Sequence, residues 1–308
     1  MVDSAVRSWD RVSVARQSFE EMTAIVTGGA SGIGRALGAA LADAGARVVL
    51  ADIDGEALAR TMVELCDADE RRSRLIVGRE LDVRDRDGVR SMVAEIAARD
   101  GTIDFFFNNA GLSMGGPTHE LTGAHWDRII DVNLLGVVNG LLAVYPLMVT
   151  QGHGHIINTA SAAGLVPPPF VVAYAATKQA VVGLTAGLRP EAAMHGVRVS
   201  VLCPGAVDTP ILDRLPPSDL PTGPSQPVTA RAYLRRLHQR PIPADKFARA
   251  ALRDVSSNRA ISVIPRSTKA LWYLARLSPS MAESVSGSMA KIVARDLVTP
   301  VAQTGVDR

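Results

Sequence analysis

The chain contains little cysteine, little lysine and almost no net charge. Cys66 and Cys203 are the only cysteines among 308 residues, and they form no CxxC motif. Sparse, separated cysteines disfavour a disulfide framework or a thiolate metal site and favour a reducing compartment, so we expect a cytoplasmic location. A formal net charge of +2 gives no electrostatic basis for binding nucleic acid.

Long apolar runs are also missing. Residues 1–22 carry charges throughout and lack the apolar core of a secretory signal. The stretch LLGVVNGLLAVYPLMV at 134–149 is shorter than the ~18–20 residues that a membrane span needs, and it contains Asn139 and Pro146. We therefore expect this stretch to be a helix of a globular domain, buried on most of its faces.

Short β-branched segments alternate with helical patterns from residue 23 onward. Strands are predicted at 23–28, 47–52, 74–83, 103–111, 155–161, 197–205 and 260–265, and helices at 32–45, 55–66, 87–101, 126–150, 174–195 and 244–257. The strands are apolar through their length, as in a parallel sheet that helices cover on both faces. The pattern predicts one doubly wound, Rossmann-like α/β domain over 23–265, with short extensions at 1–22 and 266–308.

Two segments are predicted to lie around the substrate or at the surface. Residues 206–240 contain six prolines and follow a strand at the sheet edge where ligands bind, so we expect a substrate lid. The segment ALWYLARL at 270–277 mixes bulky apolar residues with arginine. It could pack on the core, form a dimer seam or lie on a membrane surface.

A glycine-rich turn, TGGASGIGRA at 27–36, connects the first predicted strand to the first helix. Gly28 permits a tight turn, Gly32 lets a pyrophosphate approach the backbone, and Gly34 lets the helix pack close to the sheet. The N-terminus of the helix supplies N–H donors and a partial positive charge. The turn predicts a dinucleotide site.

Asp52 is the candidate for the adenosine ribose. It ends the second predicted strand, 18 residues beyond Gly34, where a carboxylate can accept hydrogen bonds from ribose hydroxyls. A carboxylate there repels a 2′-phosphate, and Ser31 and Ile53 provide no cation to receive one. We therefore expect NAD rather than NADP.

Further motifs follow the glycine turn and Asp52 along the chain. They are LDV at 81–83, NNAG at 108–111, Asn133, Ser161, the pair Tyr174 and Lys178, and PG at 204–205. With these motifs the chain resembles the short-chain dehydrogenase/reductase family over residues 22–265. The resemblance implies that Asp82 and Val83 flank the adenine, that Asn108 supports the central strand, and that Thr209 binds the nicotinamide carboxamide. The implied cofactor-binding set is Gly28, Ser31, Gly32, Ile33, Gly34, Asp52, Ile53, Asp82, Val83, Asn109, Ala110, Gly111, Tyr174, Lys178, Pro204, Gly205, Val207 and Thr209.

Tyr174 and Lys178 are spaced to share one face of a helix. A phenol has an unperturbed pKa near ~10, and a neighbouring cation favours the phenolate. Lys178 is one of only four lysines in an arginine-rich chain. Its compact ammonium can hold two ribose hydroxyls while facing the phenol, which a planar guanidinium does poorly. We expect Lys178 and the nicotinamide cation together to lower the pKa of Tyr174.

The resemblance implies roles for the other two catalytic candidates. Ser161 would bind the substrate oxygen, and Asn133 would hold a water that relays protons between Lys178 and solvent. Tyr174 would then serve as general acid/base while hydride passes between NAD(H) and a secondary alcohol or ketone. A non-catalytic NAD-binding scaffold or regulator, and epimerase or dehydratase chemistry on the same frame, remain alternatives.

The substrate is expected to be a small hydrophobic molecule, because Leu165, Phe170, Ile211 and Leu212 suggest an apolar pocket. No metal site is predicted. The sequence GHGH puts His153 and His155 in a connection between a helix and a strand, and His119, His125, His195 and His238 are expected in loops or at the surface.

The helices predicted at 126–150 and 174–195 carry apolar residues on more faces than one sheet can cover. This favours a homodimer or homotetramer, and in the family that the chain resembles these helices form the bundle of a dimer. Pro190 lies inside the second helix, where it would kink the helix or restart it after Gly187.

Overall fold

The computed structural model describes residues 18–297, apart from 216, 222, 224 and 226–228. Most of the predicted extension at 1–22, the polar end after 297 and three of the six lid prolines therefore lie outside the described residues. The strands are β1 (Thr23–Thr27), β2 (Arg47–Asp52), β3 (Ile76–Glu80), β4 (Phe105–Asn108), β5 (Gly154–Thr159), β6 (Val197–Pro204), β7 (Val207–Asp208), β8 (Ile242–Pro243) and β9 (Ile261–Ile264).

Seven of these strands form one parallel sheet in the order β3–β2–β1–β4–β5–β6–β9, and β7 pairs separately with β8. The helices are α1 (Gly32–Asp43), α2 (Gly55–Ala68), α3 (Glu70–Leu75), α4 (Arg86–Asp100), α5 (Gly123–Ile130), α6 (Gly136–Gln151), α7 (Val172–Ala193), α8 (Ala230–Arg236), α9 (Ala244–Ser256), α10 (Arg266–Leu277) and α11 (Pro279–Leu297). The predicted doubly wound, Rossmann-like fold is confirmed.

The core lies in two layers, one on each face of the sheet. Successive side chains of a strand point to opposite faces, so Phe105 and Phe107 join one cluster and Phe106 joins the other. Helices α1 and α9 cover the first face, and α4 and α6 cover the second. This double cover explains why every residue of β1, β4 and β5 is buried, with no alternation between a buried and an exposed face.

The long helical stretch is only partly buried. Residues 123–151 form 29 residues of continuous helix, long and apolar enough to cross a membrane by length and composition. In this fold Val144 and Met148 pack against the sheet, whereas Leu135 and Leu142 are exposed. The expectation of burial on most faces was therefore wrong, because a single layer of helices covers this side of the sheet. Helix α7 runs through Pro190 without a break.

Two histidines lie deeper than their sequence context suggested. His125, predicted in a loop or at the surface, is buried in α5, where Nδ1 accepts a hydrogen bond from the Thr122 amide at 3.1 Å. His155, the first residue of the strand predicted at 155–161, belongs to β5 and is fully buried. Its Nε2 lies 2.8 Å from the Ser200 hydroxyl, which itself donates to the Arg259 carbonyl. Burial, with the nearby charges of two arginines, lowers the pKa of His155 to about 3.

We expect His155 to lower the free energy of unfolding by about 2 kcal/mol between pH 6.5 and pH 5. In this range the unfolded imidazole, with a pKa near ~6.5, takes up a proton, while the folded imidazole remains neutral. The unfolded state thus binds more protons, and stability falls as the pH falls. Denaturant unfolding at both pH values should show a smaller decrease for His155→Gln than for the wild type; equal decreases would contradict the assignment.

Candidate active site

The carboxyl ends of the central strands open into one cleft with a volume of 1070 Å³. The strand order reverses between β1 and β4, which is the place where open α/β sheets bind ligands. Every residue of the predicted catalytic and cofactor-binding sets lines this cleft except Gly34 and Asn133. Those two lie behind its wall, next to Gly28 and Gly111 respectively.

The glycine turn needs its glycines for backbone conformation and for space. Gly28 and Gly32 have φ values of +68° and +54°, in the left-handed region that favours glycine. A Cβ on Gly28 would lie 2.8 Å from the Ala110 Cα, and a Cβ on Gly34 would overlap the Gly28 carbonyl oxygen. The turn therefore packs backbone against backbone, which brings α1 close to the ends of β1 and β4.

The N-terminus of α1 opens into the cleft. Ser31 is the N-cap residue, but its side chain makes no capping hydrogen bond, and Ser31, Gly32 and Ile33 all line the cleft. The first amides of a helix lack partners within the helix and carry a partial positive charge. A pyrophosphate fits this arrangement.

The carboxylates predicted for the adenosine end lie at the ends of neighbouring strands. Asp52 accepts a hydrogen bond from the Ala30 amide at 2.9 Å, which ties it to the glycine turn. Arg84 binds Asp82 at 2.6 Å, and this hydrogen bond lowers the pKa of Asp82. Arg84 also lines the cleft, a cation that sequence reasoning missed although it follows Asp82 by two residues.

Thr27 joins the ends of β1 and β4. Its hydroxyl oxygen accepts hydrogen bonds from the amides of Asn109 at 2.9 Å and Ala110 at 3.0 Å, and the Asn109 side chain donates to the Thr27 carbonyl. The Asn108 side chain is buried and donates to Asn158 on β5, so it supports the central strands as the resemblance implied. Thr27 was not predicted to have this role.

The segment after β6 lines the cleft and reaches the glycine turn. The Gly205 amide donates to the Ile264 carbonyl at 2.7 Å, which ties the end of β6 to β9. Thr209 is buried, and a Cβ added to Gly32 would lie 3.0 Å from the Thr209 Cβ. Pro204 at the end of β6 and Val207 also line the cleft. The chain thus brings Thr209 against the turn that the sequence assigns to the pyrophosphate.

Tyr174 and Lys178 lie near each other on α7. The Lys178 Nζ is 5.9 Å from the centre of the Tyr174 ring, and the lysine is 3% exposed. Burial lowers the pKa of Lys178 to about 8. Among the described residues Nζ has one hydrogen bond, to the Thr159 carbonyl at 2.8 Å. An ammonium has three hydrogens, so two remain for a ligand such as the ribose diol.

The protein alone does not lower the pKa of Tyr174. Burial raises this pKa above its usual value of 10, and hydrogen bonding from Ser161 opposes the rise. The Lys178 Nζ lies 5.9 Å from the ring centre, and burial is the largest influence on this pKa. A joint effect of Lys178 and the nicotinamide cation stays a prediction.

Ser161 lies beyond the end of β5 rather than at the strand end that the sequence suggested. It caps the short 3-10 helix Ala162–Gly164, and its hydroxyl oxygen accepts from the Ala163 amide at 3.1 Å. Interaction with this hydroxyl lowers the pKa of Tyr174, and both side chains line the cleft, where a ligand oxygen has access to them. This is the geometry that stabilises charge on a reacting oxygen.

Asn133 lies in a π-helical turn between α5 and α6, where the Gly136 amide bonds the Asp131 carbonyl five residues back. Its amide nitrogen donates to the Leu112 carbonyl at 3.0 Å and to the Thr177 hydroxyl at 3.3 Å. Its oxygen accepts from the Leu112 amide at 2.9 Å. Both amide hydrogens are thus used within the protein, and the side chain fixes the cleft wall against α7. The predicted water relay stays a prediction.

The remainder of the cleft is mainly apolar. The four residues predicted to form an apolar pocket all line it. Sequence reasoning missed further lining residues, which are Met114, Tyr233, Leu237, Leu271, Leu274, Met281, Val285 and Met289. Glu120 also lines this part, but its carboxylate already accepts hydrogen bonds from the Ser225 amide and hydroxyl.

The sequence matches the short chain dehydrogenase family over residues 22–219. The oxidoreductase SadH of Mycobacterium tuberculosis is 35% identical over 265 residues, which cover 85% of this chain and 93% of the relative. Levodione reductase of Leifsonia aquatica is 36% identical over 63% of this chain and 73% of that protein. A short chain dehydrogenase/reductase from Burkholderia phymatum, crystallised in complex with NAD, matches with a TM-score of 0.75 at 30% sequence identity. The match covers 93% of this chain and 99% of the crystallised chain. The chain therefore belongs to the short chain dehydrogenase family.

Proposed function

We propose that the protein transfers hydride between NAD(H) and an apolar secondary alcohol or ketone, with Tyr174 as general acid/base. The main support is that Tyr174, Ser161 and Lys178 share one cleft with the glycine turn and Asp52. A phenol, a hydroxyl and a buried amine beside a dinucleotide site are the groups that proton transfer coupled to hydride transfer requires.

Each side chain has a separate role. When bound, NAD⁺ would accept the hydride and NADH would donate it. Tyr174 takes the hydroxyl proton of an alcohol or gives a proton to a ketone. Ser161 stabilises negative charge on the substrate oxygen, and Lys178 binds ribose hydroxyls with its two remaining hydrogens. Asn133 holds the wall beside Lys178, and a proton relay through this region remains part of the proposal.

NAD is the cofactor that the described residues favour. The first amides of α1 would bind the pyrophosphate, and Asp52 would accept from the ribose hydroxyls. A 2′-phosphate would meet the Asp52 charge. Arg84 lies in the same cleft, but Asp82 engages its guanidinium.

We also propose a homodimer or homotetramer in the cytoplasm. Helix α7 exposes a face of small residues with Ala176, Ala180, Gly183 and Gly187, and apart from the backbone of α7 itself and the adjacent residues no described atom lies within 4 Å of a Cβ added at either glycine. Leu142 on α6 is exposed as well. Faces of small residues allow helices to approach closely across an interface. Both cysteines are unpaired, consistent with a reducing compartment.

Tyr174→Phe should lower kcat by about 10²–10⁴-fold, the usual contribution of a general acid/base, because the phenylalanine has no transferable proton. The dissociation constant for NADH should change little, since the ring remains. Steady-state kinetics with secondary alcohols and NADH fluorescence titration measure the two effects. Tyr273→Phe is the control and should leave both values unchanged, because Tyr273 is an exposed tyrosine that does not line the cleft. Unchanged turnover in Tyr174→Phe would refute the assignment and favour a different reaction or a scaffold.

Asp52→Ser should shift the ratio of kcat/KM for NAD over NADP towards NADP by at least about tenfold. The variant loses charge-assisted hydrogen bonds to the ribose, worth ~1.5–3 kcal/mol, and loses the repulsion of a 2′-phosphate. The ratio of the two kcat/KM values is measured because loss of the hydrogen bond from the Ala30 amide to Asp52 affects the reaction with both cofactors. Asp54→Ser, which removes the N-cap carboxylate of α2 at the same edge of the cleft, should leave the ratio unchanged. If both variants gave the same ratio as the wild type, Asp52 would not select the cofactor.

Sedimentation velocity should show an oligomer at micromolar concentration, and Ala180→Arg should reduce its size. The arginine would place a charge on the face of small residues of α7, where a close helix contact leaves no room for it. Val63→Arg, an exposed position on α2 on the other side of the sheet, is the control and should not change the oligomer. A monomeric wild type would contradict the proposed assembly.

A further inference from the structure

The two C-terminal helices form part of the cleft although they lie outside the matched family region. Helix α10 is anchored by Trp272, which is buried in a cluster with Val137, Cys203 and Val263. Trp272 also borders the cleft, together with four other residues of α10. These are Thr268, Leu271, Leu274 and Ala275. Within 270–277 Trp272 thus packs on the core, whereas Leu274 and Leu277 remain exposed, and the dimer seam and the membrane surface stay untested predictions.

Helix α11 presents one face to the cleft. Its lining residues are Met281, Ala282, Val285, Ser286 and Met289. They follow the i, i+1, i+4, i+5, i+8 spacing of a single helix face, and all but Ser286 are apolar. The helix packs on α10 and contacts α8 of the lid, so the lid and the C-terminal helices together form one wall.

We infer that this wall binds the apolar chain of an extended substrate, a secondary alcohol or ketone with a long aliphatic substituent. The inference rests on the proposed function, because the reacting oxygen must lie at Tyr174 and Ser161. Only a substituent remote from that oxygen can then contact α11. The wall offers chiefly methyl, methylene and thioether groups, so it holds a chain by removing its surface from water rather than by hydrogen bonds.

The exposure of the wall supports the same occupant. Leu271, Leu274, Met281 and Val285 line the cleft and yet remain 38–49% exposed. A chain lying along them would bury their apolar surface together with its own. Methionine side chains are flexible and adapt to ligands of differing shape. The apolar surface is continuous with the catalytic cleft, which favours a substrate over a second copy of the chain or a membrane.

The test is a series of 2-alkanols from four to twelve carbons, oxidised with NAD by the full chain. For the wild type kcat/KM should rise with length by up to about fourfold per methylene, the factor that ~0.8 kcal/mol per buried CH₂ gives. Ala282→Phe, which fills the wall, should reduce kcat/KM for the long alcohols by at least about tenfold and leave 2-butanol nearly unchanged. Ser284→Phe is the matched control, since Ser284 is exposed on the same helix and does not line the cleft; it should retain the wild-type profile.

Calorimetric binding of the corresponding 2-alkanones to the Tyr174→Phe protein with NADH, in which the proposed reaction is slow, separates this inference from the proposed reaction. Turnover of 2-butanol without any dependence on length would overturn the chain-binding wall while the proposed reaction stands. Length-dependent binding without turnover would support the wall and refute the reaction. If Ala282→Phe changed the sedimentation coefficient or binding to anionic lipid vesicles but not the length profile, the face would belong to another contact and the inference would be wrong.

Discussion

The burial of one lysine amine is the constraint on which the site depends. Lys178 is almost inaccessible, and within the described protein its Nζ has a carbonyl as its hydrogen-bond partner rather than a carboxylate. An ammonium without a counter-ion is costly to bury, which is why the pKa of Lys178 falls. Two of its hydrogens stay available at the wall of a cleft, so the fold keeps a strong donor ready for a ligand. A carboxylate partner would satisfy the amine and remove that capacity.

The surrounding structure holds the amine in place through close backbone packing. A Cβ on Gly111 would lie 3.1 Å from the Asn133 oxygen and 3.3 Å from the Lys178 Nζ, so this glycine leaves the space in which the amide and the amine meet. Asn133 in turn binds Leu112 on one side and Thr177 on the other. The π-helical turn positions Asn133 for both bonds, as π-helical turns often do at functional sites. The proposed substrate wall, by contrast, consists of apolar side chains from the lid and the C-terminal helices.

The sequence predicted the fold and the location of the site because both depend on local patterns. Apolar strands, a glycine turn and the spacing of Tyr174 and Lys178 are each visible within a few residues. Exposure was predicted less well, since it depends on neighbours distant in sequence: α6 was expected to be more buried and His155 less buried than they are. The wall formed by α10 and α11 could not be derived, because nothing local indicates that Trp272 anchors one helix and that the next helix turns back over the cleft. The direction of the Tyr174 pKa also required knowledge of burial.

The most direct measurement is the ionisation of the Tyr174 phenol. Ultraviolet difference titration of the wild type against Tyr174→Phe isolates this one group, with and without NAD⁺. We expect the pKa of Tyr174 to lie above its usual value of 10 in the protein alone, because burial dominates, and to fall when the positive nicotinamide adds its charge to that of Lys178. A pKa that does not change when NAD⁺ binds would contradict this expectation.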